Sequence, residues 1–136
     1  MRSRTLAKAL LALSWILAPG LLAADPVEGT WKTGEGEDGG YAHVSIAPCG
    51  DAFCGSISAA YEPGGRESKT YPHLGRQLIW DMRAEGGNRY GGGQIWAPDT
   101  GKTYLSKMEL KGETLTVKGC VAGGLLCRGQ DWTRVD

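Results

Sequence analysis

The chain has 136 residues, and its 15 lysines and arginines balance 15 aspartates and glutamates, so the formal net charge is zero. A general nucleic-acid binder would show a basic excess, which this composition lacks. The length fits one small domain, and the 22 glycines with no long helical periodicity disfavour a helical fold.

The first 24 residues have the three parts of a secretory signal peptide. A basic start precedes the apolar run 9–17, and small residues end the segment at Ala24. A transmembrane anchor would need about 20 apolar residues. We therefore predict cleavage after Ala24, export to the periplasm or the medium, and no membrane span in the exported chain. The mature chain 25–136 would carry 12 basic and 15 acidic residues, a net charge of −3.

Short alternating runs separated by Gly, Pro, Asp and Asn predict eight strands in one domain at 25–136. They are expected at 29–33, 41–47, 54–61, 77–83, 88–96, 102–111, 113–121 and 128–135. Alternation groups these side chains by face: Ala42, Val44 and Ile46; Ile57, Ala59 and Tyr61; Leu78, Trp80 and Met82; Tyr90 and Trp96; Tyr104, Met108 and Leu110; Leu115 and Val117. This pattern indicates an all-β fold, a small eight-stranded antiparallel up-and-down barrel, because closure removes unpaired sheet edges.

Two of the segments that connect predicted strands have features of interest for function. Residues 62–73 form the longest break between strands, and such a loop can carry function or be a plain linker. The stretch 96–103, WAPDTGKT, ends like a nucleotide-binding P-loop, but Trp96 stands where that motif needs its first glycine. Pro98 and Gly101 favour a turn between two strands instead.

All four cysteines lie in the exported part, and an even count in a small exported domain indicates structural disulfides. Three connectivities are open. We favour Cys49 with Cys54 and Cys120 with Cys127, because each pair brackets a turn-like stretch. The spacings between these cysteines do not match those of metal-binding sites, and the Cys-x-x-Cys spacing of redox sites is absent.

The predicted domain begins with the short motif Gly29-x-Trp31 and ends with the short motif Trp132-x-Arg134. They resemble the calycin arrangement, in which an arginine of the last strand covers the first-strand tryptophan and closes one end of a barrel. A guanidinium over an indole face gains cation–π attraction and covers apolar surface. The resemblance implies that Gly29, Trp31 and Arg134 close this barrel.

A wider set of motifs covers nearly the whole mature chain. The set comprises Gly29-Thr-Trp31, Ile46-x-x-Cys49 with Cys54-Gly55, Gly92-Gly-x-Ile-x-x-Pro98-x-x-Gly-Lys-x-Tyr104, Leu115-x-Val-x-Gly-Cys120 and Cys127-x-x-Gln130-x-Trp-x-Arg134. Together they resemble the bacterial exported family called domain of unknown function 2147. Ala97 and the loop 64–69 depart from its pattern. The resemblance implies a lipocalin-like barrel outside the cytoplasm, and it supplies no catalytic residue.

Three functional classes remain open. Catalysis, as a hydrolase, is the least expected class, because the chain has no nucleophile, general-base or metal motif and His43 and His73 stand 30 positions apart. No cofactor is expected either. Small-ligand binding would use the aromatic and apolar side chains Trp80, Tyr90, Trp96, Tyr104 and Met108, with Arg83 and Arg128 at a rim near the loop 62–73. The same rings would otherwise simply fill the barrel, which we favour.

The third class is a protein-binding barrel, such as an exported inhibitor of a hydrolase, because a rigid scaffold can present loops to a partner. The expected function is therefore non-catalytic binding in the bacterial envelope, of a small apolar ligand or an envelope component, with the protein-binding barrel as the alternative. The predicted ligand-binding residues are Trp80, Arg83, Trp96, Tyr104, Met108 and Arg128.

Overall fold

The computed structural model describes residues 11–15 and 23–136, so most of the predicted signal peptide lies outside the described residues. The strands are β1 (Gly29–Lys32), β2 (Tyr41–Cys49), β3 (Ala52–Tyr61), β4 (Gln77–Gly86), β5 (Arg89–Ala97), β6 (Lys102–Lys111), β7 (Thr114–Val121) and β8 (Leu126–Arg134). A short 3-10 helix, Ala122–Gly124, joins β7 to β8. Among residues 11–15 and 23–136, no helix combines the length and the hydropathy that a membrane-spanning helix needs.

Each strand pairs antiparallel with the next one, and β1 pairs with β8 through Trp31 opposite Arg134. The sheet therefore closes on itself, which confirms the predicted eight-stranded up-and-down barrel. The predicted strand β6 agrees at both ends, whereas β4 continues to Gly86 and β8 begins at Leu126.

The barrel has two different ends. At the turn end, tight turns join β2 to β3, β4 to β5 and β6 to β7, and the segment 25–28 lies beside them. At the loop end lie the connections 33–40, 62–76, 98–101 and 122–125. The stretch that resembles a P-loop is one of these connections, and its Gly101 N–H donates to the Ala97 carbonyl at 2.8 Å. The prediction of a strand-joining turn there is confirmed.

Buried apolar side chains form one contiguous core cluster. Its members are Val27, Trp31, Val44, Ile46, Ile57, Leu78, Ile79, Met82, Tyr90, Trp96, Met108, Leu110, Leu115, Val117 and Trp132. At roughly 25 cal/mol per Å² of apolar surface removed from water, this burial is the main favourable contribution to folding.

Irregular pairing changes which side chains face the core. The register of β2 against β3 shifts at His43/Val44, so Ala60 is buried where alternation from Ile57 predicts Ala59. In β4, Ile79 is fully buried and Trp80 is only half-buried, so the predicted grouping of Trp80 with Leu78 and Met82 is wrong. A β-bulge inserts a residue into one strand and shifts every later side chain to the other face.

The structure pairs Cys49 with Cys54 and Cys120 with Cys127, the connectivity favoured from the sequence. Cys49–Cys54 fastens the β2–β3 turn, with its Cα atoms 5.5 Å apart. Cys120 and Cys127 are direct cross-strand partners on β7 and β8. Each bridge closes a short loop, so it stabilises the fold by about 2 kcal/mol on the chain-entropy model.

Candidate functional site

The turn end of the barrel is covered by the first and last strands. The Arg134 guanidinium carbon lies 4.2 Å from the centre of the fully buried Trp31 ring. Arg134 also donates to the backbone carbonyls of Pro26 and Glu28, the latter at 3.0 Å. The Trp31 indole N–H donates to the Val27 carbonyl at 2.9 Å. These contacts tie the segment 25–28 across the turn end of the barrel.

Gly29 is required by this closure. Its φ is +131°, and a Cβ at this position would lie 2.5 Å from the Asp136 carbonyl oxygen and 2.8 Å from Arg134 Nη1. A side chain would therefore displace the arginine that covers Trp31. The three predicted barrel-closing residues, Gly29, Trp31 and Arg134, thus meet at one place.

At the loop end, several inward-facing side chains of β5 to β8 are only partly covered. Leu115 and Val117 are buried inside, so alternation along β7 directs Gly119 inward as well. Gly119 pairs with Ser106 on β6 and with Arg128 on β8, which places Arg128 on the same inner face. Gly119 is half-buried and Arg128 is exposed, so the inner face of the barrel becomes partly exposed here, and we call this region the mouth.

Two apolar side chains line the mouth beside Gly119. A Cβ on Gly119 would lie 3.6 Å from Ile95 Cγ2 and from Tyr104 Cβ, and Ile95 and Tyr104 are cross-strand partners. Both residues are half-buried. The Tyr104 hydroxyl lies 3.2 Å from the Thr100 hydroxyl, which orients the phenol at the rim. The missing side chain of Gly119 leaves the faces of these two residues accessible.

The rim of the mouth beside β7 and β8 is apolar and exposed. Val121 and Leu126 are cross-strand partners with 48% and 65% of their surface exposed, and Leu125 in the connecting turn is 85% exposed. The Cys120–Cys127 disulfide joins the two strands directly below this turn. Exposed apolar side chains gathered in one place mark interaction surfaces more often than singly scattered ones do.

The long loop 62–76 is fastened to the barrel through Trp96. The Arg76 guanidinium carbon lies 3.3 Å from the centre of the Trp96 ring, and His73 meets the same ring edge-on with centroids 5.0 Å apart. Tyr71 in turn meets His73 edge-on at 5.4 Å. The loops 33–40 and 62–76 approach each other, because a Cβ on Gly39 would lie 3.3 Å from Pro63 Cβ. Burial raises the pKa of the Tyr71 phenol, and the Asp38 carboxylate raises it further.

The structure does not gather all six predicted ligand-binding residues. Trp96, Tyr104 and Arg128 lie toward the loop end, whereas Met108 is buried in the core. Trp80 lines an outer groove with the Cys49–Cys54 bridge. Arg83 lies toward the turn end, where it forms an exposed 3.0 Å ion pair with Asp51. The expectation that Arg83 shares a rim with the loop 62–73 is therefore wrong, because that loop is at the other end.

Three residues that sequence reasoning missed contribute to this region: Arg76, Ile95 and Gly119. In the sequence, Gly119 appears only as one position of the family motif. Its effect on the mouth depends on its facing the barrel interior, which the motif does not show. Arg76 lies three positions after the predicted loop 62–73, and nothing in the sequence around it indicates which aromatic ring it covers. Ile95 sits in a glycine-rich strand whose register shifts between Tyr90 and Gly93, so its face could not be read by alternation.

A second aromatic group lies on the outer surface of β2 and β3. Tyr41 and Tyr61 stack with centroids 4.8 Å apart, and His43 lies 4.6 Å from the Tyr61 ring. His43 is half-buried within this group. Burial lowers the pKa of His43, and the nearby Lys32 ammonium lowers it further.

Comparison with known proteins places the chain by fold and family. Protein HP1028 of Helicobacter pylori, described as belonging to the lipocalin family, superposes with a TM-score of 0.66 over 84% of this chain and 85% of that one, at 17% identity. No curated protein matches the chain. The bacterial family described as "Uncharacterized protein conserved in bacteria (DUF2147)" matches residues 29–134. The chain therefore belongs to the DUF2147 family and has a lipocalin-like barrel.

Proposed function

We propose that this protein is an exported, non-catalytic binding protein of the bacterial envelope, and that its mouth receives a small apolar ligand or an apolar part of an envelope component. The observation that carries this proposal is the partial exposure of the inner face at the loop end. Leu115 and Val117 are buried inside the barrel, whereas Gly119 farther along β7 and its neighbours Ile95 and Tyr104 are only half-buried.

The apolar rim supports the same function. Val121, Leu125 and Leu126 would contribute buried surface when a ligand covers them, and each fully buried aliphatic side chain is worth about 1.5–3 kcal/mol. Water solvates these side chains poorly in the free protein. Covering them therefore favours an apolar occupant over a polar one.

Arg128 places a charged guanidinium group at the mouth. It faces the same inner side as Gly119 and, among the described residues, it forms no ion pair. A guanidinium stays protonated and binds carboxylate or phosphate oxygens well. The ligand that suits this mouth has an apolar body and a polar or acidic end.

Binding without turnover fits the side chains of the mouth. A guanidinium cannot act as a general base at neutral pH, and the Tyr104 hydroxyl is engaged with Thr100. Ile95 and Gly119 offer no reactive group. Disulfides persist in oxidising compartments, so the two bridges support export of the chain.

Native mass spectrometry of the protein purified from its own compartment tests the proposal. We expect a bound small molecule that is lost in Gly119→Val, because the new side chain would occupy the space between Ile95 and Tyr104. Gly129→Val is the matched control, since a Cβ at Gly129 would meet only Thr116 and Lys118 at ordinary contact distance. Repeated recovery of bare wild-type protein, or equal retention by both variants, would refute the proposal.

A further inference from the structure

Asp25 is held at the turn end through its carboxylate, its carbonyl and its backbone nitrogen. Its carboxylate accepts from the Tyr90 hydroxyl at 2.5 Å and from the Val27 N–H at 2.9 Å. Its carbonyl accepts from the Glu28 N–H at 2.9 Å. Its backbone nitrogen donates to Glu28 Oε2 at 2.6 Å. A residue so fixed at the start of the barrel marks a structural boundary.

Ala23 and Ala24 behave differently from Asp25. Both are exposed, and they lie along an open groove beside the β2–β3 turn. Asp25 is half-buried and Val27 is fully buried. The peptide bond between Ala24 and Asp25 therefore joins a solvent-exposed residue to one that the barrel holds in place. This is the bond at which the sequence predicts cleavage.

We propose that hydrolysis of the Ala24–Asp25 bond completes the turn end by creating an ion pair between the new α-ammonium of Asp25 and the Glu28 carboxylate. A signal peptidase would add water across this bond. The hydroxyl goes to the Ala24 carbonyl carbon, which becomes a carboxylate, and the nitrogen leaves with protons as an ammonium. The existing amide N–H donor to Glu28 then becomes a charged donor at the same place.

The surroundings determine how strong this pair is. Glu28 is the direct acceptor, while the Asp25 carboxylate is engaged by Tyr90 and Val27. On the other side, the Arg134 guanidinium binds the Pro26 and Glu28 carbonyls and pairs with Glu113. Asp51 lines the groove of Ala23 and Ala24, but it pairs with Arg83. The Glu28 carboxylate is already an ionised acceptor, and replacing the amide N–H by an ammonium adds direct attraction between opposite charges to this hydrogen bond, so processing stabilises the fold.

Intact mass measurement comes first, on the full-length chain expressed with its own signal in an exporting bacterium. We expect the exported protein to begin at Asp25. Urea unfolding then compares Glu28→Gln with Glu37→Gln, a control in the exposed loop 33–40. At pH 7, Glu28→Gln should raise the unfolding equilibrium constant about three- to fivefold, the range of a solvent-accessible ion pair, and Glu37→Gln should not change it.

The effect must depend on the ammonium. An α-amino group ordinarily titrates near pH 8, and an ion pair raises its pKa, so the pair's contribution is complete below that pH and is lost as pH rises through the folded value. The difference between wild type and Glu28→Gln should therefore shrink toward pH 10. A start other than Asp25, or a difference that is absent at pH 7 or constant with pH, would overturn the proposal.

A second measurement needs no variant. Reductive ¹³C-methylation of the exported wild-type protein labels the α-amine, whose NMR titration gives its pKa directly. We expect this amine to titrate above the ordinary value of about 8. Titration at or below that value would overturn the ion pair even if Glu28→Gln does not fold.

Discussion

Replacing Arg134 with methionine tests how the barrel is closed. Methionine keeps an apolar stem of similar reach over the Trp31 ring but removes the guanidinium. The change abolishes the cation–π contact at 4.2 Å, the two hydrogen bonds to the Pro26 and Glu28 carbonyls, and the 3.4 Å ion pair with Glu113. The segment 25–28 would then lose its connection to the last strand.

The size of the effect follows from these contacts. A cation–π contact contributes about 0.5–1 kcal/mol, and hydrogen bonds from a charged donor contribute about 1.5–3 kcal/mol each. The pair with the exposed Glu113 adds little. Since such contributions are not additive, we expect Arg134→Met to lower the free energy of unfolding by about 2–4 kcal/mol. A domain stable by about 5–15 kcal/mol would remain folded.

Urea unfolding followed by tryptophan fluorescence measures this loss. Arg83→Met is the matched control, because Arg83 pairs with Asp51 where both side chains are largely exposed. A hydrogen bond from Arg83 lowers the pKa of Asp51, but solvent screens this pair, and we expect no measurable change in stability. Equal unfolding midpoints for Arg134→Met and Arg83→Met would refute the assignment of barrel closure to Arg134.

Two further predictions concern the bridges and His43. Replacing either disulfide pair by alanines, Cys49 with Cys54 or Cys120 with Cys127, should cost about 2 kcal/mol in urea unfolding, and an unchanged midpoint would show that the bridge does not constrain the unfolded chain. The pKa of His43 is lowered in the folded protein, so the unfolded chain binds more protons and stability should fall as pH drops below 6.5. His43→Gln should flatten this dependence below about pH 6.5, whereas an equal slope in both proteins would contradict the burial of His43.

The barrel was predictable because its signals are local. Alternation and turn residues define eight strands within a few positions, and the bracketing of turns predicted both disulfides. The faces of β3, β4 and β5 were not predictable in the same way. A register shift at His43/Val44, and left-handed backbone at Asp81 and Gly92, reverse the alternation. These irregularities depend on cross-strand pairing, which no local pattern specifies.

The candidate site was predicted only in part, for a related reason. Tyr104 and Arg128 do reach the loop end, but Met108 is core and Arg83 lies toward the turn end. Alternation separates inside from outside, yet it says nothing about depth along the barrel. The openness of the mouth depends on Gly119, where a missing side chain is the important feature.

Amide chemical-shift mapping with dodecanoate as the probe tests the location of the mouth most directly. This probe has an apolar chain and a carboxylate, and dodecyltrimethylammonium is the control with the opposite charge. We predict saturable shifts at Ile95, Tyr104, Gly119, Arg128 and the turn 122–125, stronger for dodecanoate than for the cation. Shifts concentrated at the turn end, around Trp31 and Arg134, or no saturable shifts at all, would contradict a ligand-binding mouth at the loop end.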